Sequence, residues 1–310
     1  MKESVKNLLL IFSGMLFLLS FIYAFTRPKV QGDYQFQAYL RSTFDDNGYN
    51  GLKQGIEQAA NDYKVEVTFG VLEEEEADQK VWLENEIAAG IEGFIFEPKE
   101  EKIIESQTID VPFVYVNQQE LVENVPVISA DNQKNGYTLG IEVIKQRSNK
   151  ERVLIVREQE IYQENAENLA GLLQVFEEQE VAFDELIVKS ENWEETLQVA
   201  LNTEEYVAII GLSLEMSETL GKLKKQDTRF STIDLYGFGL SNQLLNFVEQ
   251  DIFQGLGVSN QFAVGYAAVA QLMAQIEGKS NRIPNIDTLF VTKENLFDPD
   301  NQKLLFPLIQ

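Results

Sequence analysis

Histidine and cysteine are both absent from the 310 residues. No disulfide framework, thiolate nucleophile, Ser-His-Asp triad or His- or Cys-bound zinc can be built from such a chain. Basic residues are scarce as well: 25 Lys and Arg stand against 50 Asp and Glu, a net charge of −25. A surface of that sign repels phosphate backbones, so a nucleic-acid partner is not expected. Two roles stay open, a hydrolase working with two carboxylates and a non-catalytic function. Neighbouring acids such as Asp45-Asp46 or Asp298/Asp300 do not define the carboxylate separation that glycosidase chemistry needs, and a solvated acidic surface is the simpler reading. Thr43–Gln54 places Asp45, Asn47 and Gly48 at offsets like those of a calcium loop, but Thr43 and Gln54 stand where its first and last carboxylates are required. Neither a metal nor a cofactor is expected. The chain is 44% hydrophobic, enough for a sizeable core.

One long uncharged run is present, Leu8–Phe25 (LLLIFSGMLFLLSFIYAF). As a helix it would span about 27 Å, close to the roughly 30 Å of bilayer hydrocarbon. Lys2 and Lys6 precede it and Arg27 and Lys29 follow, so charge does not set its orientation. The exit Tyr23-Ala24-Phe25-Thr26 is a poor cleavage site, and no cysteine is available to carry lipid. The reading favoured is a transmembrane signal anchor over residues 8–25, after a cytoplasmic N-terminus (1–7), with the body outside the cell; a cleaved signal peptide is the alternative. Residues 26–33 form a polar linker to a body spanning 34–310.

That body alternates apolar strands with amphipathic helices. Tyr34–Leu40, Val65–Gly70, Gly93–Phe96 and Val111–Val116 read as strands, separated by helices over Tyr49–Lys64 and Asp78–Ala89. Glu73–Glu76 is an acidic turn. A second series opens with Asn132–Lys145 and continues through the strands Val153–Val156, Leu186–Val188, Val207–Gly211, Ile233–Phe238 and Gly255–Val258. Helices over Ile161–Glu178, Trp193–Ala200, Ser213–Lys225, Ser241–Gln250 and Gln261–Gln275 are interleaved, and Leu289–Thr292 is the last strand. Such repeats imply parallel sheets with helices on both faces and ligands at the carboxyl ends of strands.

Five pieces in order carry a resemblance: ENEIAAGIEGFIFEP around Asn85–Pro98, SADNQKNGYTLG around Asp131, LEMSETL (Leu214–Leu220), GVSNQFAVGYAAVAQLMAQIEGK (Gly257–Lys279) and VTKEN (Val291–Asn295). Together they resemble the type I periplasmic binding proteins, the group of ribose and galactose binders and of lac-repressor-like effector domains. The resemblance implies an α/β fold of two lobes, each a parallel sheet with helices on both faces, preceded here by one transmembrane helix. It implies an N lobe of 34–131 and 260–284 and a C lobe of 132–259 and 285–310, with crossings near Asn132, Ser259 and Pro284. A small ligand, a carbohydrate or related polar compound, would close the hinge. The partner would be a membrane sensor kinase or an ABC permease; a ligand-free protein-interaction module on the same fold is the alternative from another class. The family's members bind rather than catalyse, so no enzyme activity is expected.

Family position also implies candidate ligand-binding residues, each with a plainer role beside it. Asp46 and Tyr49 follow the first strand, where a helix cap and local packing are the plainer roles. Asn117 and Gln118 stand where an Asp-Arg pair is common. Asp131 is either a ligand contact or a helix cap. Asn168 stands in place of a sugar-gripping Arg, and Trp193 falls on a stacking position or packs a helix end. Ser213 replaces a common Asn, Gly239 an anchoring Asp, and Ser259 a Gln or Asp. Losing that Asp and Arg removes charge-assisted contacts of about 1.5–3 kcal/mol each, so the resemblance supports monosaccharide specificity weakly.

Overall fold

The computed structural model describes residues 34–41, 51–71, 79–98, 110–118, 125–145, 151–189, 193–279 and 282–305. The expected anchor over 8–25, the linker over 26–33, the acidic turn over 73–76, and both Asp46 and Tyr49 lie outside them. Among the described residues no helix is long and apolar enough to cross a membrane.

The chain runs through β1 (Gln35–Leu40), α1 (Gly51–Tyr63), β2 (Glu66–Val71), α2 (Gln79–Ala88), β3 (Gly93–Phe96), β4 (Phe113–Val116) and β5 (Val127–Ile128). It continues through α3 (Asn132–Ile144), β6 (Arg152–Glu158), α4 (Gln163–Glu178), β7 (Phe183–Val188), α5 (Trp193–Thr203), β8 (Tyr206–Gly211) and α6 (Leu214–Gln226). The last elements are β9 (Asp234–Phe238), α7 (Asn242–Glu249), β10 (Phe253–Ser259), α8 (Gln261–Ile276), β11 (Thr288–Val291) and α9 (Pro299–Leu305).

Two sheets result, ordered β2-β1-β3-β4-β5 and β11-β10-β9-β8-β6-β7. The first is parallel throughout. The second departs from the expected all-parallel arrangement, because β11 runs antiparallel to β10. The reason is topological: α8 carries the chain across to the first lobe, and the chain returns beside the end of β10 without a crossover helix in the second lobe.

Period-two alternation decides which side chains meet which helices. In the first lobe Phe36, Ala38, Leu40, Ile95, Val114 and Val116 face α1 and α8, in one cluster with Ile56, Ala59, Val264 and Leu272. The opposite face presents Tyr39, Phe94, Phe96, Phe113 and Tyr115 to Leu83 of α2. In the second lobe Val153, Ile155, Ala208 and Ile210 pack on α3 and α4. Leu154, Val156, Ile209 and Leu235 pack on α5, α6 and α7. Both faces of each sheet are thereby covered, as parallel sheets require.

Helix pairs approach closely through glycine in both lobes. A Cβ on Gly55 of α1 would lie 2.0 Å from the Phe262 carbonyl oxygen, and one on Gly265 of α8 would lie 2.1 Å from that of Leu52. Gly136 of α3 and Gly171 of α4 repeat the arrangement, each 1.9 Å from a facing carbonyl. The layout shared by the two halves of the sequence is thus repeated in their packing.

The crossings between lobes run side by side. Ala130, after β5, bridges Ile286, and the Asp131 N–H donates to the Ile286 carbonyl at 3.3 Å. Helix caps fix where the new elements begin: Asp131, Ser213, Ser241 and Asn260 each accept a backbone N–H with their side chains.

Candidate functional site

Parallel strands deliver their C-terminal residues to one edge of a sheet, and here the two edges meet through Arg41. Arg41 follows β1. Its backbone N–H donates to Glu97 Oε2 at 3.2 Å, its Nε to the Pro98 carbonyl at 3.0 Å and its Nη2 to the Asn117 carbonyl at 3.2 Å, all in the first lobe. Its Nη1 crosses to the second lobe and donates to Glu164 Oε1 in the first turn of α4. The guanidinium also lies over the Tyr162 ring, 4.1 Å from its centroid.

This pair is removed from water, with side-chain exposures of 10% for Arg41 and 19% for Glu164. Burial alone would lower the Arg41 pKa, but Glu164 and Glu97 more than offset it and hold the guanidinium above its ordinary value. Burial pushes the Glu164 carboxyl up; Arg41 opposes that shift only in part. Burial likewise raises the Tyr162 phenol, which stays neutral near physiological pH.

Around this tie lies a ring of amides, hydroxyls and acids. Asn117, just past β4, sits in the left-handed region at φ 53°, a conformation Asn tolerates. Its Nδ2 donates to Glu97 Oε1 at 2.7 Å and to Gln261 Oε1 at 2.9 Å. Gln118 is buried beside it. In the second lobe Ser213 donates to Glu158 Oε1 at 2.6 Å while accepting from the Met216 N–H at 3.1 Å. At the crossing, Ser259 donates to Asn132 Oδ1 at 2.7 Å, and Asn132 Nδ2 donates to Glu167 Oε2 at 3.1 Å and Ser129 Oγ at 3.2 Å.

Of the residues expected from the sequence, Asn117, Gln118, Ser213 and Ser259 stand at strand ends bordering this seam. The other four described candidates are held in structural roles. The Asp131 carboxylate caps α3 through the Lys134 N–H at 3.0 Å. It borders a shallow groove of about 290 Å³ with Gln133, Lys134, Tyr137 and Gln174. Asn168 lies in the α3–α4 contact, where its Oδ1 accepts from Asn135 Nδ2 at 3.1 Å. Trp193 packs against the apolar core of the second lobe. Gly239 has φ 108°, and a Cβ there would sit 2.9 Å from that of Leu214, so the backbone itself calls for glycine.

The sequence reading passed over Arg41, Glu97, Glu158, Tyr162, Glu164, Glu167 and Gln261, and took Asn132 for a lobe crossing only. A usable signal was present: charged residues end or directly follow three apolar strands, at Arg41, Glu97 and Glu158. Among the described residues no cluster of three or more acids could hold a metal ion.

Comparison with known proteins gives this arrangement its family. The model of the periplasmic binding protein domain matches residues 38–280. The chain belongs to that family. No curated protein matches the sequence significantly. Several solved structures share the binding-protein fold. An ABC transporter solute-binding protein from Burkholderia graminis, solved with D-arabinose, aligns with a TM-score of 0.72 at 18% identity, over 86% of this chain and 98% of its own. An ABC transporter solute-binding protein from Agrobacterium vitis with bound D-fucose gives 0.75 at 15%, over 88% and 100%. A XylFII–LytSN complex gives 0.69 at 19%, over 84% and 98%. At such identities the likeness establishes the fold. The family and these neighbours are binding proteins rather than enzymes.

Proposed function

We propose that this protein captures a small polar ligand, a carbohydrate or related compound, between the strand edges of its lobes and passes the occupied, closed state to a membrane partner. The observation that carries the reading is the polar seam joining opposed strand ends, with Arg41 reaching from β1 to Glu164 of α4. Hydroxyls and amides such as Ser213, Ser259, Asn117 and Gln118 are the groups that grip sugar hydroxyls. Sugar-bound neighbours of the same fold support the ligand class. In this account ligand energy is used to shift the lobes toward closure, and the partner reads the closed face.

The uncharged run over 8–25 would tether the body outside the cell. That tether favours a sensor kinase over a permease as partner, and a neighbour captured with a second protein, the XylFII–LytSN complex, supports a protein-engaging role for this fold. The ABC permease role rests on the transporter proteins among the neighbours. A further reading, a ligand-free interaction module, is favoured by one observation: Arg41 already bridges the lobes using the chain's own groups.

A melting experiment decides between binding and no binding. The full chain in mild detergent is heated with mono- and oligosaccharides, with amino acids and nucleosides as controls. A ligand at about 100 times its dissociation constant adds roughly 2.7 kcal/mol, a readily visible rise in Tm. A rise with one sugar class is the expected result. A well-folded sample that responds to nothing moves the assignment to the interaction module.

A further inference from the structure

Resting on the binding reading above, the geometry points to a cleft selective for charge: its ligand carries an ammonium group on a small hydroxylated frame, an amino sugar in chemical class, held by Glu164 and Asn117.

Two buried acceptors in the seam have no donor, Asn117 Oδ1 and Glu164 Oε2. The orientation of the Asn117 amide is fixed, because its nitrogen already donates to Glu97 and to Gln261; the oxygen is left as the free end. Asn117 is only 3% exposed, so bulk water does not serve that oxygen. Both residues are bound to the same guanidinium, Glu164 through Nη1 and the Asn117 carbonyl through Nη2. The residues that carry the two orphaned acceptors therefore meet at one guanidinium. A ligand serving both acceptors must donate, and must donate twice.

The charge around those acceptors selects among donors. Four carboxylates, Glu97, Glu158, Glu164 and Glu167, are hydrogen-bonded into the seam. Two cations touch that network among the described residues: Arg41 is engaged by Glu164, by two carbonyls and by the Tyr162 face, and Arg157, which donates to the Glu158 carbonyl at 3.1 Å, is paired with Glu185 at 3.0 Å. An anionic ligand would meet four carboxylates and two cations that are both already engaged. A neutral hydroxyl satisfies an acceptor without offsetting charge. An ammonium does both, through charge-assisted hydrogen bonds. Burial, the largest cause, keeps the Glu164 carboxyl above its ordinary value despite Arg41, and neighbouring Glu97 adds to the rise. The Tyr162 ring remains 41% exposed beside it, a face on which a sugar ring or a second cation can rest.

The test titrates the full chain with matched sugars differing in one group: D-glucosamine, D-glucose and D-glucuronate, then D-galactosamine, D-galactose and D-galacturonate. In at least one set the amine is expected to bind about tenfold tighter than the neutral sugar, with the uronate weakest. Glu164→Gln should reduce the amine preference to about twofold or less; should that variant fail to fold, the wild-type order alone decides. A neutral sugar that binds as tightly as its amine, or a uronate that binds tightest, overturns charge selection and leaves the binding reading standing. Binding by no member of either set overturns the amino-sugar assignment, and the binding reading falls with it only when the wider melting panel also gives no response.

Discussion

Gly171→Ala is expected to destabilise the protein by about 3 kcal/mol, although alanine normally stabilises a helix interior by about 1 kcal/mol over glycine. Gly171 lies inside α4 against α3. Its added Cβ would sit 1.9 Å from the Gln133 carbonyl oxygen and 2.7 Å from the Tyr137 backbone nitrogen. Both are backbone atoms, so no rotamer change relieves the clash, and the helices must separate. Separation loosens the cluster in which Leu139, Val143, Leu172 and Val175 pack on the sheet. It also stretches the buried Asn135–Asn168 hydrogen bond of 3.1 Å. Urea unfolding provides the check: a lower midpoint with an unchanged slope is expected. A midpoint equal to or above that of the wild type would mean the helices are not in such close contact.

Arg41→Met is expected to open the cleft near neutral pH. Removing one partner of a buried ion pair costs about 3–5 kcal/mol, because the remaining charge is left without compensation. Here the stranded charges are Glu164 and, at 3.8 Å from Nη1, Glu97. They belong to different lobes, so parting the lobes lets water reach both, and the cost appears as opening before it appears as unfolding. The effect depends on pH with a definite sign. Burial raises the Glu164 carboxyl above its ordinary value of 4.5, and Arg41 restrains that rise. Without Arg41 the carboxyl moves higher still. Stability gained from the protonated form is fully present below the unfolded value and is lost as pH rises through the folded one. Opening should therefore be small below about pH 4.5 and grow toward neutrality. Small-angle scattering reads it as a larger radius of gyration for Arg41→Met than for wild type. Equal radii near neutral pH would show that the arginine does not hold the lobes together.

Periodicity and caps made much of the fold readable. Phe36, Ala38 and Leu40 alternate with Gln37 and Tyr39, and the first set does pack in a different cluster from Tyr39. Ser213 and Ser241 precede helical spacing and cap α6 and α7. The beginning of β7 was missed because it is an edge strand whose residues are mostly part-exposed, with an acid at Asp184 and Glu185. α9, only seven residues long, carries too little pattern to be recognised. Direction within a sheet is also invisible to a hydrophobic pattern, so the antiparallel β11 could not be anticipated.

The site was legible only in outline. Family position led to strand ends, and Asn117, Ser213 and Ser259 do border the seam. It also led to Asn168, Trp193 and Gly239, whose roles here are helix contact, core packing and backbone conformation. Arg41 and Glu164 are separated by 123 residues. Nothing in the local chemistry of either stretch announces the other; only the packing of two lobes brings them together.

The most direct test of the central claim, that the seam between the lobes is a ligand site, is a calorimetric titration of the full chain with whichever sugar raises its Tm most. Asn117→Gly serves as the companion, since glycine accepts the φ of 53° while losing the amide. The account predicts one site per chain and affinity weakened by about tenfold or more in the variant, the loss of a hydrogen-bonded buried contact. Unchanged affinity in a folded Asn117→Gly protein would place binding elsewhere and contradict it.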